Sequence, residues 1–344
     1  MIFPLLSDLI TFIGFYFIAA YCIVVEFYMD RIRRYNGLSR LQYLHKAIFE
    51  SKFFNASNQK LIAVVTGADG TIGTEVTRLL LQNNFKVICL IRNRKSCNWS
   101  NEFGNQADLV IHTVDLANLQ EVKQIAKIVA EQNPQIDFIV CAAGVMLFPF
   151  ERTESGFETH YAVNFLSHAI IVNYLLPSVA GKEGDRHCNE EGKIIFVSSA
   201  AAYLYLLYPV FCDPKMLFNY RNGYQAYWTS KFAMSSYADE LNYQMQQQSI
   251  MSNQRKVTVI SLHPGCVASN LYQYANIWTK ILIFRLLWRI MRNPAIAAAE
   301  ILALGFDDNL IGGCYYQHMV PTRISSCTEK QQLYKYVQEV IKNL

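Results

Sequence analysis

A chain of 344 residues with 52% hydrophobic side chains can fill the core of one large domain with appendages, which speaks against a disordered protein. Its formal charge of +4 on 17% charged residues, with no Lys/Arg block interleaved with aromatics, speaks against a nucleic-acid partner. Nine cysteines, an odd number with no C-x-x-C and no His/Cys cluster, suggest neither a disulfide framework nor a zinc or other metal site, and fit a reducing compartment.

In chain order, the first feature is LITFIGFYFIAAYCIVV, Leu9 to Val25, 17 residues without a charge. A bilayer core needs about 17–25 apolar residues, so the run is short but adequate. Asp8 precedes it and no basic residue does, which reads as a retained anchor and not as a cleaved signal peptide. Arg31, Arg33, Arg34, Arg40 and Lys46 follow, and cationic flanks stay cytosolic, so the bulk of the chain is expected in the cytosol. The alternative is a helix lying on the surface of the domain. Residues 1–50 are thus read as a membrane anchor with its basic juxtamembrane segment, and residues 51–344 as the catalytic domain.

From Lys60 the pattern becomes strand, glycine turn and helix in KLIAVVTGADGTIGTEVTRLLLQNN. FKVICLI and ADLVIHTV read as strands, EVKQIAKIVAEQ as a helix, and DFIVCAAG as a strand. GFETHYAVNFLSHAIIVNYLL (helix), GKIIFVSS (strand), YQAYWTSKFAMSSYADELNYQM (helix) and KVTVISLHPG (strand) continue the alternation, while residues 181–192 read as an exposed loop. Apolar, β-branched strands alternating with helices predict an α/β fold of Rossmann type, a doubly wound parallel sheet with helices on both faces.

The turn TGADGTIG, Thr66 to Gly73, lies between a predicted strand and helix, where Thr66, Gly67, Gly70, Thr71, Ile72 and Gly73 can offer backbone N–H groups to a pyrophosphate. Gly67 permits the tight turn and Gly73 close helix packing. Arg92 follows the second strand, where an arginine favours the 2′-phosphate of NADP(H) over NAD(H); an ordinary solvated basic loop with Arg94 and Lys95 is the alternative. Asp115, followed by Leu116, ends the third strand, where it would meet adenine or cap the next helix.

Tyr227 and Lys231 stand four residues apart in a predicted helix, so the ammonium can lie beside the phenol and lower its pKa, making Tyr227 an acid/base at neutral pH. The alternative is a packing tyrosine beside a lysine whose head reaches water. The strand ending VSS places Ser199 at the carboxyl edge of the sheet, within reach of a substrate oxygen.

Taken together, TGADGTIG, CAAG, YAVN, VSS, YWTSK and HPGCVAS resemble the short-chain dehydrogenase/reductases over roughly residues 60–320. The resemblance implies Ser199, Tyr227 and Lys231 as catalytic residues, with Asn164 holding a proton-relay water. It also implies cofactor contacts from Ala142, Ala143 and Gly144 and, on the nicotinamide side, from Pro264, Gly265, Val267 and Ser269. NADP(H) is the expected cofactor, with NAD(H) also used by relatives. Two departures stand out. The turn reads T-G-x-x-G-x-x-G where compact members carry T-G-x-x-x-G-x-G, and the usual N-N-A-G is Cys141-Ala142-Ala143-Gly144, without its sheet-stabilising asparagine.

Within the family, RTESGFETHYAVNFLSHA, HPGCVASNLYQYANIWTKIL and GGCYYQ resemble the retinol-dehydrogenase-like group, which implies a lipid alcohol as substrate and a membrane location such as the endoplasmic reticulum or a lipid droplet. AAYLYLLYPVF and MLFNY offer apolar bulk for a greasy channel or for the core. IWTKILIFRLLWRIM, followed by Arg292, places Arg285, Arg289 and Arg292 on one helical side, as in a helix resting on a membrane, buried, or joining two copies in a homodimer. The glycine spacing keeps open a nucleotide-sugar epimerase or dehydratase, and the altered motifs keep open a non-catalytic membrane scaffold.

Overall fold

The structure is a computed structural model that describes residues 2–51, 60–94, 108–181, 191–206, 220–251, 255–324 and 327–344. Lys95, Asn55, Asn98, most of the loop at 182–190 and most of the apolar insertion at 207–219 lie outside the described residues.

One sheet of eight strands organises the chain: β1 (Ile62–Thr66), β2 (Lys86–Ile91), β3 (Leu109–Thr113), β4 (Phe138–Cys141), β5 (Gly192–Val197), β6 (Val257–His263), β7 (Tyr315–Gln317) and β8 (Val320–Thr322). Their order is β3-β2-β1-β4-β5-β6-β7-β8, parallel up to β7, with β8 returning antiparallel. The order reverses direction between β1 and β4, so the carboxyl ends of those strands open a crevice.

Strand residues alternate between the two faces. Val64, Ile88, Ile139 and Ile194 point to one core, covered by α4 (Leu119–Gln132), α5 (Thr159–Ala180), α6 (Gly223–Met251) and α9 (Cys327–Asn343). Val65, Val87, Val140 and Ile195 point to the other, covered by α2 (Arg40–Glu50), α3 (Thr71–Gln82) and α8 (Pro294–Gly305). The doubly wound fold is therefore as the sequence predicts. α5 is long and apolar, but most of it is buried core, and a π-helical segment, Ala162–Leu166, interrupts it.

The N-terminal segment departs in detail from a simple tether. α1 (Ile2–Phe27) is present as an apolar helix, yet one side of it rests on the catalytic domain. Tyr16 Oη lies 2.9 Å from Tyr224 Oη and 3.2 Å from Thr279 Oγ1, and the Phe15 ring sits 6.4 Å from that of Tyr227. The opposite side, with Ile13, Phe17, Tyr21 and Val24, is exposed. α2, read from sequence as juxtamembrane, buries Leu44 and Ile48 in the second core. Arg40, read as a cationic flank, is buried and paired with Glu300 at 2.8 Å.

Candidate active site

Gly67 has φ +63° and donates its N–H to Leu90 O; a Cβ there would lie 2.7 Å from Ala143 Cα. A Cβ on Gly73 would lie 2.1 Å from Gly67 O, so only glycine lets α3 begin against the turn. Gly70 is the N-cap with an ordinary extended backbone, and a Cβ there would stand 3.1 Å from Gly67 O. The altered spacing thus keeps the two glycines that the turn cannot do without, and the N-terminal N–H groups of α3 face the crevice, as a pyrophosphate requires.

The loss of the asparagine after β4 is met by another pair. Thr66 Oγ1 accepts from the N–H groups of Ala142 (3.0 Å) and Ala143 (3.2 Å) and lies 2.9 Å from His168 Nε2. His168 comes from the middle of α5. A lone histidine in an apolar helix carries no sequence signal of this role.

One cavity of about 830 Å³ runs from the glycine turn to the inner side of α1. Arg92, Asp115 and Leu116 line its nucleotide end; Ser199, Tyr227 and Lys231 line its centre; Pro264, Gly265, Val267 and Ser269 line the far wall. Asp115 is not the helix cap. Asn118 caps α4 through Glu121 N–H, and Asp115 Oδ1 instead accepts from Ala117 N–H at 2.9 Å, holding the carboxylate at the cavity edge.

Lys231 is buried, and its Nζ donates to Val197 O at 2.8 Å. Burial pushes its pKa down to about 8. The sequence predicts that Lys231 lowers the Tyr227 pKa; the structure gives the opposite sign for the phenol. Burial pushes Tyr227 up to about 12, with a hydrogen bond from Ser199 pulling the other way. Tyr227 in this state stays protonated across the neutral range, held so by its own desolvation.

Asn164 sits in the π segment with its amide fully engaged. Its Oδ1 accepts from Val145 N–H (2.7 Å), and its Nδ2 donates to Val145 O (3.0 Å) and Ser230 Oγ (2.9 Å), which in turn donates to Tyr227 O. The amide therefore ties the β4 loop to the turn of α6 that carries Tyr227 and Lys231. Gly144 leaves room for this: a Cβ there would lie 3.2 Å from Asn164 Oδ1 and 3.4 Å from Lys231 Nζ.

Arg292 corrects the sequence reading of a one-sided basic helix. The helix α7 (Ile277–Ile281) continues as a π segment, Leu282–Leu287, and ends before Arg292. Arg292 is buried, donates from Nη1 to Pro264 O at 3.1 Å, and forks onto Asp30 at 3.0 and 3.2 Å. Gly265, at φ +96°, is required because a Cβ would lie 2.4 Å from Arg292 Cδ.

The family described as short chain dehydrogenase matches residues 61–280. The short-chain dehydrogenase TIC 32 B, chloroplastic, of Brassica napus is 28% identical over 266 residues, covering 74% of this chain and 79% of that protein. Polyprenol dehydrogenase of Danio rerio is 28% identical over 280 residues (79% and 82%), and human retinol dehydrogenase 13 is 27% identical over 263 residues (74% and 75%). A short chain dehydrogenase structure from Escherichia coli CFT073, complexed with NADPH, shares the fold at TM-score 0.54 and 20% identity, over 74% of this chain and 95% of that one. The ordered motifs, the sheet that carries them and the match across residues 61–280 agree, and the chain belongs to the short-chain dehydrogenase family of oxidoreductases, resembling its retinol-dehydrogenase-like group.

Proposed function

We propose that the protein is a membrane-associated, NADP(H)-preferring oxidoreductase that interconverts a hydrophobic lipid alcohol, of polyprenol, retinol or steroid type, with its aldehyde or ketone. The observation that carries this reading is the single cavity joining the glycine turn, the Ser199/Tyr227/Lys231 group and an apolar end walled by Phe15, Ile18 and Ile283. The cradle that excludes a Cβ at Gly67 and Gly73 fits a dinucleotide, and Arg92 at the cavity wall suits a 2′-phosphate. The bound nicotinamide supplies or accepts the hydride. Tyr227 gives its proton to the carbonyl oxygen in reduction and takes it back in oxidation; Ser199 hydrogen-bonds that oxygen; Lys231 holds the nicotinamide-side ribose; Asn164 keeps the β4 loop registered against α6.

Support for membrane association comes from the exposed outer side of α1 together with exposed Ile277, Trp278, Phe284, Leu286 and Trp288 on the neighbouring segment. Tyr16 bonds to Thr279, so the two apolar surfaces adjoin beside the cavity. An aromatic and aliphatic surface of this kind suits the lipid interface. The domain faces the cytosol at the endoplasmic reticulum or a lipid droplet in this reading, and sugar attached at Asn55 or Asn98 would overturn that orientation.

The test is turnover by the full chain in detergent or nanodiscs, with NADPH and polyprenyl, retinoid and steroid carbonyls and with NADP and the matching alcohols. Tyr227→Phe should cut kcat by roughly 10²–10⁴-fold. Absence of turnover across all three lipid classes, or an undiminished Tyr227→Phe rate, would sink the reading.

A further inference from the structure

The seam between α1 and the loop after β6 holds a group of side chains that the hydride-transfer chemistry does not use. Cys22 and Glu26 stand one turn apart on α1, and His263 is the last residue of β6. Their ligand atoms, Sγ, a carboxylate oxygen and a ring nitrogen, all lie within 4.8 Å of one another. The three residues are 1%, 0% and 5% exposed.

Two details distinguish this group from an ordinary buried ion pair. First, Glu26 Oε1 and the ring nitrogens of His263 have only one another and Cys22 to face among the described residues, none in well-aligned hydrogen-bond geometry, with Oε1 and Nε2 3.2 Å apart. Buried polar atoms left this way are costly. A tetrahedral ion with bonds of about 2.1 Å to oxygen and nitrogen separates two such ligands by roughly 3.4 Å, so the observed spacing is close to one edge of the polyhedron. Second, the outer atoms are oriented. Glu26 Oε2 accepts from Cys266 N–H at 2.8 Å, and Gln317 Nε2 lies 3.5 Å from Cys22 Sγ. Such supporting bonds fix ligands for a metal. The Cys266 thiol also hydrogen-bonds that of Cys22.

We propose that Cys22, Glu26 and His263 form a binding site for one divalent cation of the zinc type, which clamps α1 to the loop on the nicotinamide side of the cavity. A thiolate and an imidazole beside a single carboxylate oxygen favour zinc over magnesium or calcium, whose sites are built from oxygen. The sequence lacks any zinc spacing because two ligands sit near the N-terminus and the third near the end of the sheet; only the docking of α1 unites them.

The experiment uses the full chain, purified in detergent with a non-thiol reductant, loaded with zinc and desalted, with bound metal read by elemental analysis. Wild type should retain about one zinc per chain, and cobalt substitution should give a thiolate-to-cobalt charge-transfer band with tetrahedral d–d absorption. Cys22→Ser and His263→Gln should each weaken retention at least about tenfold, with Glu26→Gln also weaker than wild type. Should those variants fail to fold, wild type alone decides, because it must hold about one zinc per chain after desalting and give the thiolate-to-cobalt band on substitution. Zinc absent from loaded wild type, full retention by Cys22→Ser, a cobalt spectrum without the thiolate band, or a Cys22–Cys266 disulfide in place of metal under these conditions would overturn the proposal. None of these readouts depends on turnover, so a failed lipid-substrate assay leaves them unaffected.

Discussion

Thr66 Oγ1 lies 2.9 Å from His168 Nε2 in the buried floor between β1 and α5, and the other ring nitrogen, Nδ1, lies 3.0 Å from the carbonyl oxygen of Asn164. A carbonyl only accepts, so Nδ1 carries the proton and Nε2 accepts the Thr66 hydroxyl hydrogen. The hydroxyl then spends its lone pairs on the N–H groups of Ala142 and Ala143, and every group in the chain is satisfied. His168→Ala strands the threonine hydroxyl and the asparagine carbonyl, and Thr66→Val strands the two N–H groups. Each substitution should cost about 1–3 kcal/mol in urea unfolding. The double variant should cost less than the two together, since both break one network. Strict additivity would mean that the pair does not act as the replacement for the missing asparagine.

The phenol of Tyr227, pushed up to about 12 by burial, is protonated throughout the neutral range. Reduction needs the protonated form and oxidation the phenolate. The kcat/KM for carbonyl reduction should therefore be flat from about pH 6 to 7, below the range in which Lys231 loses its proton, while that for alcohol oxidation should climb close to tenfold per pH unit over the same span. Ser199→Ala removes the hydrogen bond that opposes burial, so it should lower the oxidation rate at any one pH and move its rise to higher pH. Matching pH profiles in the two directions would show that Tyr227 is not the group exchanging the proton.

Lys231 gives a stability signature of its own. Its folded pKa, pushed down by burial to about 8, lies below the ordinary lysine value, so between the two the unfolded chain holds a proton that the folded chain does not. Folding stability contributed by this group is thus lowest below about pH 8 and rises as pH climbs toward the unfolded value. Relative to Lys231→Met, the wild-type protein should gain up to about 3 kcal/mol between pH 7 and pH 10.5. Urea midpoints of both proteins across that range decide the matter, and a constant difference would mean a solvated ammonium.

Much of this was readable before the fold was known, because local patterns carried it. The apolar strands and the Thr66–Gly73 turn announce the doubly wound sheet, and the cavity collects Ser199 from one motif and Tyr227 and Lys231 from another. What escaped reading depends on contacts between distant segments. Helical periodicity carried past Leu287 puts Arg292 beside Arg285 and Arg289 on one side of a membrane-resting, buried or dimer-forming helix, whereas the helix ends before it. Arg40 looked like a cytosolic flank because its partner, Glu300, lies in a helix 260 positions away. The sign of the Tyr227 shift was missed for a related reason: four-residue spacing reports proximity to Lys231, whereas burial of the phenol is a property of the closed fold.

The three glycines of the turn make unequal demands. An added Cβ on Gly73 meets backbone at 2.1 Å and on Gly67 at 2.7 Å in a positive-φ conformation, whereas on Gly70 the nearest atom is at 3.1 Å. Strain of roughly 1–3 kcal/mol or more at the first two sites translates into a loss of about five- to more than hundredfold in dinucleotide affinity for Gly67→Ala and Gly73→Ala. Gly70→Ala should lose less than about tenfold. Titration of NADPH monitored by tryptophan fluorescence ranks the three, and a Gly70→Ala loss as large as that of Gly73→Ala would contradict the order.

Arg292 joins three parts of the molecule through one guanidinium: Asp30 beyond α1, Glu300 in α8 at 3.3 Å, and the carbonyl of Pro264 in the cofactor loop. Arg292→Met takes the guanidinium from Asp30 and leaves Glu300 with Arg40, and breaking a buried pair from one side costs about 3–5 kcal/mol. Burial alone would raise the Glu300 pKa, but Arg292 and Arg40 hold it below the ordinary carboxylate value, so its favourable share is present at neutral pH and disappears as pH falls through the acid range. The deficit of Arg292→Met should accordingly be largest near pH 7 and shrink toward pH 4. Arg292→Lys should recover part of the stability but neither the fork onto Asp30 nor the Nη1 bond to Pro264, leaving dinucleotide affinity weakened. A pH-independent deficit would assign the loss to packing of the side chain alone.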